Sequence, residues 1–170
     1  MRKKLYTIGY EGGAAGDFIA TLHEAGIQLL IDVRAVALSR KPGFSKTALS
    51  NRLNGEGINY LHLKGLGDPK PGRAAAREGR FKEFREIYHG HLIGDVAQLD
   101  LLKGIEAASR GGACLLCFER DHWHCHRLIV AEAMARRNRF DIVHLVVHEA
   151  AATTRRNISL AESRALALAG

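Results

Sequence analysis

The sequence predicts a three-layer α/β protein with a mainly parallel five-stranded sheet and helices on both faces, as in Rossmann- or flavodoxin-like folds. Short apolar segments alternate with amphipathic helical segments, and this order gives parallel strands joined by right-handed crossovers. The run at residues 29–31 is apolar on both faces, which is typical of an interior strand. The strand order does not follow from these patterns.

Five apolar runs bounded by turn residues are predicted strands: residues 4–10, 28–33, 57–63, 113–118 and 142–147. Between the first two, apolar residues at helical spacing predict a helix that ends at Gly26. Ser45 is expected to cap a second helix that carries Leu49 and Leu53. The glycine-rich turn at residues 9–13 suits either a tight strand-to-helix turn or a weak nucleotide loop.

Residues 64–80 are rich in Gly, Pro, Ala and Arg and show no packing period, so we expect a mobile loop or lid. Its positive charge suits a cover over an anionic ligand, and a plain surface loop is the alternative. A helix of core aromatics is predicted from Phe81 to Tyr88, broken by residues 89–91.

Asp95 is expected to cap the next helix. Its predicted buried stripe is Val96, Leu99, Leu102 and Ile105. A further helix opens at Leu128, and an alanine-rich tail at residues 148–170 is predicted to be helical around residues 160–168.

Composition favours one cytoplasmic domain over residues 1–170. A hydrophobic content of 46% argues against disorder, and no apolar run approaches the ~18 residues that a membrane span needs. The net charge of +7 favours anionic partners such as a nucleotide or nucleic acid. Three cysteines, an odd number, argue against a secreted disulfide scaffold and for reduced thiols.

Charged residues follow two predicted strands. Asp32 and Arg34 stand at the carboxyl end of the second strand, where a charge is costly unless it is paired or faces a ligand. Arg40, Lys41 and Lys46 surround the next helix start, whose free amides also favour anions. A salt bridge in the first case and a solvated basic loop in the second are the structural alternatives.

The stretch from Cys117 to Arg127 is the richest in reactive side chains, and three chemistries fit it. Cys117, Cys125 and His126 are ligand types suited to zinc or iron, although their spacing matches no common zinc pattern. Cys125 at a predicted helix start would have a lowered thiol pKa and act as a nucleophile.

The third chemistry is anion binding. Arg120 and Arg127 flank the same helix start and can bind an anion together with Arg34. Glu119 and Asp121 would then orient these arginines or act as acid and base. A salt-bridge network that holds the sheet together is the structural alternative.

Five motifs occur in the order found in one known family: residues 7–12, 32–34, 39–46, 60–63 and 117–127. Across residues 4–147 the chain resembles the family catalogued as domain of unknown function 488. The resemblance implies an intracellular α/β domain with shared polar positions at Tyr10, Asp32, Arg34, Ser39, Lys46, Glu119, Cys125, His126 and Arg127. The chain departs from the family at Ala37, where proline is frequent, and at Asp68, where glycine is frequent.

Together these features predict an enzyme acting on a phosphate-bearing or other anionic substrate, a nucleotide or nucleic acid. The expected catalytic residues are Cys125, His126, Glu119 and Asp32. The expected anion-binding residues are Arg34, Lys46, Arg120, Arg127, Tyr10 and Ser39. The alternatives are a non-enzymatic basic nucleic-acid-binding module and a metal-binding protein that uses Cys117, Cys125 and His126.

Overall fold

The structure, a computed structural model, describes residues 2–148, and this range forms three layers, helices–sheet–helices. The strands are β1 Lys4–Gly9, β2 Leu29–Asp32, β3 Asn59–His62, β4 Ala113–Cys117 and β5 Asp141–Val146. The helices are α1 Ala15–Glu24, α2 Lys46–Gly55, α3 Lys70–Arg77, α4 Phe81–Leu92, α5 Asp95–Ala108 and α6 His126–Asn138. The strand order is β3-β2-β4-β1-β5 and all neighbours are parallel. The predicted fold class is confirmed.

Strand β4 occupies the centre of the sheet because its residues are apolar on both faces, and all five are buried. Gly9 of β1 pairs with Cys117, while Asp32 of β2 pairs with Leu116. This register brings the carboxyl ends of β1, β2 and β4 to the same edge of the sheet.

The helices divide between the two faces according to the direction of each connection. From β1 to β3 the chain moves toward one edge of the sheet, and from β3 to β5 it moves toward the other. Phe18 of α1 packs with Leu116 on one face, whereas Tyr88 of α4 and Ile129 of α6 pack with Leu115 on the other. The connection that follows β4 therefore runs in the opposite direction to the connections that follow its neighbours β1 and β2. Ligands in open α/β sheets bind where neighbouring strands are followed by connections in opposite directions.

The prediction of a loop over residues 64–80 was wrong. This segment contains a 3₁₀ turn at Lys64–Leu66 and the eight-residue helix α3. Pro71 lies in the first helical turn, where proline costs no hydrogen bond. The helix buries Gly72 and Ala75, which are too small to produce a visible apolar period.

Helix α4 runs through residues 89–91 to Leu92, so the predicted break there was wrong. Gly90 is exposed, and a Cβ added there would meet no atom within 4 Å outside its own helical turn; a single glycine at a solvent-facing position weakens a helix without ending it.

The predicted buried stripe of α5 was also largely wrong. Val96, Leu99 and Leu102 are all more than half exposed. The buried side carries instead Ala97, Leu101, Gly104 and Ala108. Small residues on this side let the helix backbone come close to the residue that follows β3, since a Cβ on Gly104 would lie 3.2 Å from the Leu63 side chain. Asp95 is the first helical residue, and Gly94 takes the N-cap position.

The predicted helical tail lies, apart from His148, outside the described residues. Within residues 2–148 no helix combines the length and apolar character that crossing a bilayer requires.

Candidate functional site

A cavity of about 520 Å³ opens where β1, β2 and β4 end. Four cationic side chains from two separate segments line it: Arg40 and Lys41 in the loop after β2, and Arg73 and Arg77 on α3. We call these four residues the basic rim. Residues at the ends of the three strands and at the start of α6, together with Ser39 and Asp68, supply the remaining polar lining.

Arg34 forms the wall of the cavity on the β2 side and is held by a buried ion pair. Its guanidinium lies 2.6 Å from the Asp32 carboxylate and is only 5% exposed, while Asp32 is fully buried. Tyr60 donates a second hydrogen bond to the same carboxylate over 2.6 Å. Burial works against the charge on Arg34, but Asp32 outweighs it and raises the pKa of the guanidinium.

The same guanidinium joins two further segments. Nη1 of Arg34 donates to the Tyr10 hydroxyl at 3.0 Å and to the carbonyl of Phe44 at 2.9 Å. The rings of Tyr10 and Phe44 stack with centroids 4.3 Å apart. Arg34 therefore fixes the β1 end and the loop after β2 around the cavity.

Four side chains of the β4–α6 connection gather at the end of β4, and we call them the thiol–imidazole cluster: Cys117, Glu119, Cys125 and His126. The Cys117 thiol donates to Oε2 of Glu119 at 3.1 Å, and the Cys125 thiol donates to the same oxygen at 3.0 Å. Nε2 of His126 donates to the Val33 carbonyl at 2.9 Å. Cys117, Glu119 and His126 face the cavity, while Cys125 lies behind them.

Burial and mutual charge set the protonation of this cluster. Burial raises the pKa of both thiols, and the Glu119 carboxylate raises it further. The expectation of a low thiol pKa at Cys125 was therefore wrong, although Cys125 does occupy the N-cap of α6. Burial works to raise the pKa of Glu119, but hydrogen bonds from the thiols and the charge of His126 lower it.

For the pKa of His126, burial and the neighbouring groups act in the opposite directions. Burial lowers its pKa, but Cys125, Glu119 and the Val33 carbonyl outweigh this effect and raise it to about 9. The cluster thus places a histidine with a raised pKa and a glutamate with a lowered pKa beside two thiols with raised pKa values, a set able to transfer protons.

Arg127 stabilises the loop between β4 and α6 from inside the protein. It is fully buried and donates to the carbonyls of Glu119 and Arg120. Gly9 lies against the same segment so closely that a Cβ would be 1.7 Å from the Glu119 carbonyl oxygen. The backbone at residues 119–120 is therefore fixed from two directions.

The predicted site residues divide into three groups. Tyr10, Arg34, Ser39, Glu119 and His126 line the cavity. Cys125, Asp32 and Arg127 are buried behind its wall. Lys46 and Arg120 are exposed and lie outside the lining.

Sequence reasoning anticipated the positive charge of residues 64–80 but did not single out Arg73 and Arg77 of α3, or Asp68 just before this helix, as residues that line the site. The available signal was the spacing of the two arginines, which places them one helical turn apart on one face. Without recognition of α3 as a helix this spacing had no meaning.

Cys117, Cys125 and His126 could hold a metal ion. One atom of each lies within 4.8 Å of the others, and all three residues are buried. The hydrogen bond from Nε2 of His126 to Val33 leaves Nδ1 as the ligand atom, as in many metal sites where a carbonyl fixes the second ring nitrogen.

The comparison with family models supports the motif resemblance over a narrower range. The model described as Domain of unknown function DUF488 matches residues 14–134, which is more than half of the chain. No curated protein matches the chain significantly. Nor does any solved structure.

Proposed function

The chain belongs to the family described as Domain of unknown function DUF488, and for it we propose an enzymatic function: chemistry on a small phosphate-bearing or otherwise anionic substrate in the cavity. The observation that carries the proposal is the meeting of the basic rim with the thiol–imidazole cluster around one cavity. Binding groups and reactive groups from distant parts of the chain converge there, at the usual ligand position of this fold class.

Charge supports an anionic substrate. Within the described residues, five arginine and lysine side chains line the cavity, Arg34 and the four of the basic rim, against the two acidic residues Asp68 and Glu119. Most hydrogen-bond donors of the Arg34 guanidinium are already used by Asp32, Tyr10 and Phe44. The residues of the basic rim are therefore the ones available to a ligand. A concave site of about 520 Å³ suits a small molecule such as a nucleotide better than a duplex.

The thiol–imidazole cluster supports a proton-transfer or nucleophilic step. Glu119 accepts a hydrogen bond from the Cys117 thiol at 3.1 Å and so orients the thiol that faces the cavity. The His126 imidazolium can donate a proton or stabilise negative charge that develops on the substrate. We therefore assign the substrate-facing thiol to Cys117 and place Cys125 behind it.

Neutralising the rim tests the proposal. We expect the Arg40→Gln/Arg77→Gln variant to bind inorganic phosphate and mononucleotides at least about tenfold more weakly, since each lost charge-assisted hydrogen bond contributes about 1.5–3 kcal/mol. The matched control is Lys82→Gln/Arg85→Gln on the exposed surface of α4, with the same loss of charge. Isothermal titration calorimetry at two salt concentrations measures both.

Equal weakening of phosphate and nucleotide binding in the control variant would contradict a binding site confined to the cavity. Together with strong binding of an oligonucleotide and a steep salt dependence, it would favour a spread nucleic-acid surface instead.

A metal-dependent function is the second candidate, favoured by the convergence of Cys117, Cys125 and His126. Two thiolates and one imidazole suit zinc, and iron is the alternative. Glu119 approaches both sulfurs from the cavity side and would either complete the ligand set or leave the fourth position to substrate. A bound dication would also remove the thiol protons.

Metal analysis distinguishes this candidate. We expect about one equivalent of zinc or iron per chain after chelator-free, anaerobic purification, and loss of it in Cys117→Ser and Cys125→Ser. Cys114→Ser is the matched control because Cys114 is buried on the opposite face of the sheet, among the residues that α1 covers. Metal-free wild-type protein, or equal metal in all four proteins, would rule the centre out.

A further inference from the structure

Asp68 is a buried acid whose position no part of the fold explains. Its side chain lines the cavity together with Cys117, Glu119 and His126, and the residue is only 5% exposed. Among the described residues, its Oδ1 has no hydrogen-bond partner. A buried carboxylate oxygen without a partner costs stability, and folded proteins keep such groups mainly where a ligand supplies the missing bond.

The structural roles open to an aspartate at this position are not used. Asp68 precedes α3, but Pro69 takes the N-cap and no side chain caps the helix. Arg73 donates to the main-chain carbonyl of Asp68, so this contact does not occupy the carboxylate. Space for the carboxylate requires a glycine in the helix, because a Cβ on Gly72 would lie 2.1 Å from Oδ1.

The surroundings of Asp68 favour acceptance of a proton or a hydrogen bond by its carboxylate. Burial raises its pKa to about 6, and the charge of Glu119 adds to the effect. His126, Arg73 and His91 oppose it, but they lower the pKa less than burial raises it. Asp68 and Glu119 thus lie in the same cavity with pKa values moved in opposite directions.

We propose that Asp68 accepts a hydrogen bond from a hydroxyl or amine of the substrate, so that the cavity selects anions that carry such a donor near the anionic group. The proposal rests on the proposed function, because the basic rim must hold the anionic group for the donor to reach Asp68. A ligand with a phosphate and no donor would leave Oδ1 unpaired, and sites built around such a bond discriminate strongly against analogues that lack it.

Three phosphate monoesters test this selection by calorimetry: glycerol 3-phosphate with hydroxyls, phosphoethanolamine with an ammonium group, and n-propyl phosphate with no donor on its chain. The wild-type protein is expected to bind at least one of the first two about tenfold or more tightly than n-propyl phosphate. In Asp68→Ala this preference falls to about twofold or less, while n-propyl phosphate binds at least as tightly as before because a negative charge is gone.

The stability of an Asp68 variant distinguishes a ligand-binding role of this residue from a structural one. The folded pKa of Asp68, about 6, lies above the ordinary value of 3.8, so the stability it contributes is present below about pH 4 and lost as pH rises through 6. Asp68→Asn is therefore expected to be at least as stable as wild type at pH 8 in urea unfolding. A clear loss of stability in Asp68→Asn at pH 8 would contradict the proposal.

The two proposals fail in different ways. Tight binding of all three esters with no preference, unchanged in Asp68→Ala, overturns the role of Asp68 and leaves the anion site standing. Failure of all three esters to bind, in wild type and variant alike, overturns the anion site and the role of Asp68 with it. Glu86→Gln on exposed α4 serves as the control for loss of one acidic group.

Discussion

Arg34→Met is expected to lower the free energy of unfolding by about 3–5 kcal/mol, because it leaves the Asp32 carboxylate buried without its counter-charge. Asp32 would retain the Tyr60 hydroxyl and the main-chain N–H of Arg34, but neither supplies positive charge. The loss of the bonds to Tyr10 and the Phe44 carbonyl would also free the loop after β2.

Urea unfolding of a double-mutant cycle measures this effect. The Asp32→Asn/Arg34→Met double variant should recover part of the loss, since no buried charge remains. Arg80→Met provides the matched control: Arg80 also pairs with carboxylates, those of Glu78 and Glu83, but at the surface, and no measurable change is expected. If Arg34→Met and Arg80→Met unfold at the same urea concentration, the buried pair does not organise the site.

Gly9→Ala is expected to destabilise the fold by about 1–3 kcal/mol and to shift the thiol–imidazole cluster. The new Cβ would lie 1.7 Å from the Glu119 carbonyl oxygen and 2.5 Å from its carbonyl carbon, so the backbone of one strand end must move. Because the Glu119 side chain receives both thiol hydrogen bonds, the movement reaches the reactive groups directly.

Gly90→Ala is the matched control for this substitution. Position 90 lies inside α4 with no neighbouring atom within 4 Å of the new Cβ, so the change should stabilise the protein by about 0.5–1 kcal/mol. Thermal unfolding and the ¹⁵N–¹H shifts of residues 117–126 follow both variants. An unperturbed spectrum and an unchanged melting temperature in Gly9→Ala would contradict a close contact between Gly9 and the Glu119 carbonyl.

The sequence was sufficient to predict the sheet and several residues that line the cavity, because the signals there are local. Continuous apolar runs identify interior strands, and charged residues that end such strands must be paired or face a ligand. Both outcomes occur at the end of β2: Asp32 pairs with Arg34, and Arg34 also lines the cavity.

What the sequence could not predict depends on contacts between distant segments. Gly104 of α5 lies so close to Leu63 and Met134 that a larger side chain would crowd them, whereas Val96 and Leu99 lie on the exposed side of the helix. Likewise, Arg127 and Arg34 look alike as cations near strand ends. Only the fold shows that Arg127 is enclosed and donates to main-chain carbonyls, whereas Arg34 reaches the cavity.

The meeting of the two halves of the basic rim escaped prediction for a related reason, although Arg40, Lys41 and the positive charge of residues 64–80 were each expected to favour an anion. Arg73 and Arg77 belong to a helix whose buried residues are glycine and alanine, so no apolar periodicity marks it. Their partners across the cavity, Arg40 and Lys41, lie more than thirty residues away in the chain, and only the three-dimensional structure brings the two pairs to one opening.

The central claim, that this opening binds an anionic substrate, is tested most directly by titrating phosphate and a mononucleotide into ¹⁵N-labelled protein and mapping the amide shifts. We expect saturable shifts confined to the loop after β2, the start of α3 and the end of β4, and their loss in Arg40→Gln/Arg77→Gln. Shifts scattered over the basic surface, or an unchanged response in that variant, would contradict it.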